Sequence, residues 1–222
     1  MLFHTLNYLV FLLLMVTLFW GVPKRFRLWV LGLSSLGFYA LASRYINGAS
    51  GWIDLRLILV VAGAAWAGSL FLQKNRERKG RFLRNATVIL LVLGPLLFYK
   101  YWNFIAENVE ALATLLGAEL SLARNARQQV ENLYLPIGIS FFTFQALAYV
   151  IDVNRSATDN QNELGPERNP GHFWAFLAFF PQLIAGPIVR RHELMPQLKK
   201  LGKLKEHQIG AGAYRICRGC LK

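Results

Sequence analysis

The sequence predicts an all-α, polytopic membrane protein, a multi-span helical bundle with a re-entrant segment. Hydrophobic residues make up 55% of the 222-residue chain and the mean hydropathy is +0.33, more apolar than an ordinary soluble domain. The apolar residues lie in long runs separated by short basic clusters, the pattern that sets membrane topology. One late run is interrupted by Pro181 and Pro187 around Gln182, Ala185 and Gly186, where a continuous helix cannot form. The whole of 1–222 is expected to be a single membrane domain.

The elements follow from this in chain order. Met1 to Gly21 is an apolar run with its positive charges, Lys24, Arg25 and Arg27, behind it. It has no basic leader or cleavage site, so it reads as a first span with its N-terminus outside. Leu28 to Ala42, extended to Tyr45, is a second span with small residues Gly32, Ser34, Ser35 and Gly37 that allow close helix packing. Residues 47–51, Asn-Gly-Ala-Ser-Gly, are turn chemistry. Ile53 to Leu72 is a third span, with Asp54 and Arg56 at its start expected to reach the interface by snorkelling. Lys74 to Arg84 is the most basic loop and fixes its side as cytoplasmic. Ala86 to Tyr101 is a fourth span, and Ile105, Val109, Leu112 and Leu116 continue at helical spacing as an amphipathic helix on the outer surface. Ser121 to Asn132 reads as polar linker.

Leu133 to Ile151 is the fifth span, with Pro136 in its first turn. Gly138, Phe142, Gln145, Tyr149 and Asp152 recur at helical spacing and share one face. That face is expected to look inward, because a glutamine amide facing hydrocarbon would leave donors and acceptors unpaired. For Gln145 a helix–helix hydrogen bond competes evenly with a functional role. Asp152 to Gly171 reads as a cytoplasmic loop. The stretch behind Val189 carries Arg190, Arg191, Lys199, Lys200, Lys203 and Lys205, also cytoplasmic by its charge. With both flanks on one side, Phe173 to Val189 must enter and leave the same face. Leu194, Leu198, Leu201 and Leu204 form an apolar stripe expected to lie on the inner leaflet, where membrane lipids are partners.

The net charge of +13 is explained by these loops, so no nucleic-acid partner is expected. Cys217 and Cys220 form a lone CxxC without a second pair, and no metal site is expected. His172 and His192 flank the broken segment without a carboxylate or second histidine at ligand spacing and read as solvated or capping residues. No internal repeat is visible. Ile209 to Lys222 begins another apolar, small-residue segment.

Leu135 to Arg155, LPIGISFFTFQALAYVIDVNR, and Phe179 to Leu198, FFPQLIAGPIVRRHELMPQL, closely resemble the signature of the membrane-bound O-acyltransferase family, in particular its bacterial branch that acetylates alginate and other exopolysaccharides. The resemblance is dense over Leu135 to Gln197 and looser before it. It carries over motif membership for Pro136, Gly138, Ser140, Phe144, Gln145, Tyr149 and Asp152, then for Pro181, Gln182, Gly186, Pro187 and Arg190. It implies a multi-pass protein of the bacterial inner membrane that passes an acetyl group from a cytoplasmic donor towards a polysaccharide outside, working with periplasmic acetyltransferase partner proteins. Acetyl-CoA or another acyl donor would enter as substrate, with no bound cofactor. The family's presumed catalytic histidine is expected beyond Lys222, so the chain is expected to be the N-terminal part of a longer protein, without catalytic residues and inactive alone. The substrate-path candidates are Gln145, Tyr149, Asp152, Gln182, Gly186, Pro187 and Arg190. Two other readings stand beside this one: a D-alanyl transfer protein of teichoic acid synthesis, and a transporter built on a discontinuous membrane segment.

Overall fold

A computed structural model describes residues 6–48, 51–75, 80–115, 135–156, 165–183, 186–202 and 206–220. Among the described residues all regular secondary structure is helical. Helices α1 (Leu6–Gly21), α2 (Lys24–Asn47), α3 (Gly51–Lys74) and α4 (Arg81–Leu115) make the first half. Helices α5 (Ile139–Ser156), α6 (Pro170–Leu177), α7 (Phe180–Leu183), α8 (Arg191–Lys199) and α9 (Glu206–Cys220) follow.

Among the described residues three helices are long and apolar enough to cross a membrane: α2, α3 and α4. At 24 residues each, α2 and α3 are about 36 Å long, enough for the ~30 Å hydrocarbon core. Helix α1 is apolar but has 16 described residues, and α5 has 18. The bundle wears its apolar residues outward, with Leu13 65%, Leu33 62%, Val60 57% and Leu90 60% exposed. Such a surface is untenable in water and natural in lipid. The protein is therefore a membrane protein.

Helix α3 is central and packs on α2, α4 and α5. The tight approach of α3 to α4 depends on Gly68, where a Cβ would lie 2.5 Å from Cγ1 of Val88. The core between them holds Tyr39, Ile58, Val61, Ala65, Val92, Phe142 and Tyr149.

Several expectations change here. Asp54 does not snorkel: it is wholly buried, and Ser43 on α2 donates a hydrogen bond to its Oδ2 at 2.5 Å. A carboxylate inside the bundle needs such a donor, and α2 and α3 are joined through it. The fourth span and the amphipathic stretch behind it are one 35-residue helix that runs through Pro95. The fifth helix starts at Ile139, three residues after Pro136, because Gly138 takes φ +69°, a conformation that glycine adopts without strain. That helix continues through Asp152 to Ser156, so the polar stretch behind it begins later than its composition suggests. The leucine stripe of α8 also turns inward, with Met195 and Leu198 buried against the protein. Residues 116–134, the basic 76–79, 157–164, Ile184 and Ala185, Lys203 to Lys205, and the last two residues lie outside the described set, and the linker at 121–132 and Leu204 with them.

The broken segment is real. Helix α6 opens with Pro170 in its first turn, and the side chain of Asn169 accepts from the Gly171 N–H at 2.8 Å. It closes at Ala178, and Pro181, which has no N–H to offer Leu177, sits in the first turn of the four-residue α7. Residues 186–190 are then non-helical. The ends of this excursion meet, since Lys199 Nζ at the end of α8 lies 2.5 Å from Oε2 of Glu167, just before α6. A segment whose two ends form an ion pair leaves and returns at one side of the bundle.

Candidate functional site

The site grows from one face of α5. Gln145, Tyr149 and Asp152 stand at i, i+4 and i+7, one above another. Each is matched to one residue of the consecutive run Val189, Arg190 and Arg191. The Gln145 amide pairs with the Val189 backbone in both directions: Nε2 donates to the Val189 carbonyl at 2.9 Å, and the Val189 N–H donates to Oε1 at 3.1 Å. Arg190 Nη1 donates to Asp152 Oδ1 at 3.0 Å. The Arg191 guanidinium carbon lies 5.8 Å from the centre of the Tyr149 ring. The two sequence motifs thus form one interlocked structure, in which Gln145 acts as a substitute peptide group for extended backbone inside the bundle.

Tyr149 is 1% exposed, held edge-on against Phe173 with ring centroids 4.8 Å apart. Its hydroxyl accepts the Glu167 N–H at 2.7 Å. Glu167 is a hub: its carbonyl accepts Trp66 Nε1 at 2.9 Å, its Oε1 accepts the Asn169 N–H at 3.0 Å, and its Oε2 pairs with Lys199. Burial raises the Glu167 carboxyl, but the hydrogen bonds from Lys199 and Asn169 and the positive charge of Lys199 outweigh it and hold the group below its ordinary value. Burial pushes the Arg191 guanidinium down, against Tyr149, Asp152 and Glu167; guanidinium stays charged through any such shift.

Gln182 is buried and its Nε2 donates to the Phe176 carbonyl at 3.3 Å, satisfying one of the groups freed where α6 stops. Gly186 returns its N–H to the Gln182 carbonyl at 2.9 Å, and a Cβ at Gly186 would collide with the Gln182 backbone. Gln145, Gln182, Gly186 and Pro187 line one cavity of about 10 Å³, room for about one water. Of the seven substrate-path candidates, four therefore border this cavity, and Tyr149, Asp152 and Arg190 stand along the charged row beside it. The cavity in this conformation is too small for an acyl donor.

Glu167, Arg191, Lys199 and Trp66 were not singled out by sequence reasoning. The Arg190–Arg191 pair directly behind a proline-broken apolar run was a signal for Arg191. Glu167 gave none, since its partners come from 101, 18 and 32 positions away. His192 is exposed, 3.9 Å from Glu193, and belongs to no cluster. Among the described residues no three of His, Cys, Asp and Glu are grouped to hold a metal ion. Cys217 is a free, exposed thiol.

Curated relatives align along nearly the whole chain. A protein of Azotobacter vinelandii described as a probable alginate O-acetylase AlgI is 33% identical over 96% of this chain and 39% of its own length. The protein of the same description from Pseudomonas aeruginosa is 32% identical over 96% of this chain and 38% of its own length. A peptidoglycan O-acetyltransferase of Helicobacter pylori is 30% identical over 88% of this chain and 37% of its own length. The chain thus spans about two fifths of the relatives it matches. No family model and no solved structure matches it.

Proposed function

We propose that the chain belongs to the membrane-bound O-acyltransferase family, a reading supported by its similarity to alginate O-acetylases, and that it is part of an inner-membrane, multi-pass O-acetyltransferase for an exopolysaccharide such as alginate. The protein takes an acetyl group from a cytoplasmic donor of the acetyl-CoA kind and delivers it, through the membrane, to periplasmic partner proteins that finish the acetylation.

The observation that carries this reading is the coincidence of two things. The similarity to O-acetylases covers 96% of the chain, and the two sequence motifs that resemble the family interlock at 145–152 and 189–191. Acyl transfer to a sugar hydroxyl needs a base at the hydroxyl and donors towards the developing oxyanion. The described residues offer donors and cations, and their role in the proposed mechanism is to form the donor-side wall. The acid–base step belongs to a histidine outside 1–222. Gln182, Gly186 and Pro187 line the proposed donor path, which needs the 186–190 segment to move from α5 to admit a donor.

The test is complementation. Cells lacking the full-length gene should make a polysaccharide without base-labile acetate, and the intact gene should restore it. Gln145→Ala in the full-length protein should lower acetylation; wild-type acetate content in the deletion strain would sink the proposal. A second acceptor, peptidoglycan, is favoured by the 30% identity to the Helicobacter protein, and assaying cell-wall acetate in the same strains separates the two.

A further inference from the structure

Among the described residues, Arg190, Arg191 and Lys199 meet the carboxylates of Asp152 and Glu167 where α5, the 165–169 stretch and α8 converge. Arg190 is matched to Asp152 at 3.0 Å, and Lys199 to Glu167 at 2.5 Å. Glu167 is further occupied by the Asn169 N–H. Arg191 is left over. It is 5% exposed, and neither Nη1 nor Nη2 has a hydrogen-bond partner among the described residues. Its guanidinium lies beside the Tyr149 ring, whose hydroxyl is taken by the Glu167 N–H.

A buried guanidinium cannot discharge itself, and without hydrogen-bond partners for its Nη atoms its desolvation is only partly offset by the Tyr149 ring and the nearby Asp152 and Glu167. Its flat fork of N–H groups matches the oxygens of a phosphate two at a time. Arg191 is also the first residue of the nine-residue α8, where the helix dipole favours negative charge. Arg190, half exposed, borders it on the chain.

We infer that Arg191 is the centre of a phosphate-binding site, in which one anionic phosphate completes the charge balance of the Asp152, Glu167, Arg190, Arg191 and Lys199 cluster. The phosphate comes either from a phospholipid headgroup at the membrane surface or from a soluble phosphate-bearing acyl donor. Both present the same chemistry to the guanidinium. The phosphate site goes beyond the acetyl-transfer reading and does not depend on it; only the acyl-donor source of the phosphate rests on that reading.

The experiment uses the full-length protein, delipidated in a maltoside detergent that carries no phosphate. Thermal unfolding is followed without ligand, with coenzyme A and with phosphatidylglycerol, for the wild type, Arg191→Met and Arg191→Lys. Without ligand, Arg191→Met should unfold at or above the wild-type temperature, because it removes an unpaired buried charge. Added coenzyme A or phosphatidylglycerol should raise the midpoint of the wild type and leave that of Arg191→Met unmoved. Arg191→Lys should bind about tenfold or more weakly, having lost a bidentate charged hydrogen bond. A response confined to coenzyme A assigns the soluble source, and one confined to phosphatidylglycerol assigns the headgroup. The inference is overturned if neither probe stabilises the wild type, if Arg191→Met responds as the wild type does, or if Arg191→Met unfolds well below wild type without ligand. The last result would mean that the protein itself supplies the partner. Because no acetyl transfer is measured, failure here leaves the proposed enzyme activity standing, and loss of that activity reading leaves this site standing.

Discussion

Replacing Gln145 tests the architecture of the site most directly. Its amide, 4% exposed, makes two hydrogen bonds to Val189, at 2.9 and 3.1 Å. Gln145→Ala or Gln145→Leu strands one N–H and one C=O, each costing about 1–3 kcal/mol if buried and unpaired. Val189 is only partly buried, so water can reach some of this loss and the lower end applies, about 2–3 kcal/mol in total. Gln145→Glu discriminates further. A carboxylate still accepts from the Val189 N–H but sets its second oxygen against the Val189 carbonyl, whereas the protonated acid can donate there. The glutamate variant should therefore regain stability as pH falls through its own pKa, and the alanine variant should not. The measurements are thermal unfolding of the full-length protein in detergent and hydrogen exchange at the Val189 amide. If Val189 exchanges no faster in Gln145→Ala and the unfolding midpoint stays put, the amide is not clamping this strand and the interlocked reading of the two motifs fails.

Three further outcomes follow from the same geometry. Tyr149→Phe keeps the ring contacts to Phe173 and Phe176 but removes the acceptor of the Glu167 N–H, and should cost about 1–2 kcal/mol in urea or thermal unfolding. The Glu167 carboxyl is held below its ordinary value, so its contribution to stability is complete above the unfolded-state pKa of about 4.3 and is lost as pH falls through the lower folded value; acid titration of the unfolding midpoint should show this drop in wild type and not in Glu167→Gln. Gly68→Ala should destabilise by about 1–3 kcal/mol through the contact with Val88, and Val88→Ala in the same chain should recover most of it, measurable as non-additivity in the double variant.

What the sequence made legible was whatever is carried by spacing or by exclusion. The three long spans follow from length and apolar composition, and the inward face of α5 follows from the three- and four-residue recurrence of Gln145, Tyr149 and Asp152. The break follows from two prolines that cannot donate. What spacing does not carry is the identity of the partner across the bundle. Asp54 illustrates this: at the start of a span a carboxylate normally reaches for water, and only the meeting of α3 with Ser43 of α2 lets it stay inside. Gln145 illustrates it from the other side. Its polarity within a span announced a partner, yet that partner is the main chain of Val189, which has no side-chain signature at all.

That choice of partner explains why the broken segment can exist. The non-helical backbone between Gly186 and Arg190 lacks the continuous hydrogen-bond ladder of a helix, and within a membrane such N–H and C=O groups must be satisfied by protein or water. The Gln145 amide does this for Val189, the Gln182 side chain does it for Phe176 where α6 ends, and the Gly186 N–H closes on Gln182. Two glutamines, one on each motif, thus satisfy the backbone of a non-helical segment in a helical bundle. A helix through the same positions would carry Arg190 and Arg191 along one spiral, about 100° apart. The non-helical approach to α8 instead sets Val189, Arg190 and the first helical residue, Arg191, against α5, each against its own residue. The break is therefore what sorts the charges: it gives Arg190 to Asp152 and leaves Arg191 inside, beside Tyr149, with its fork unspent.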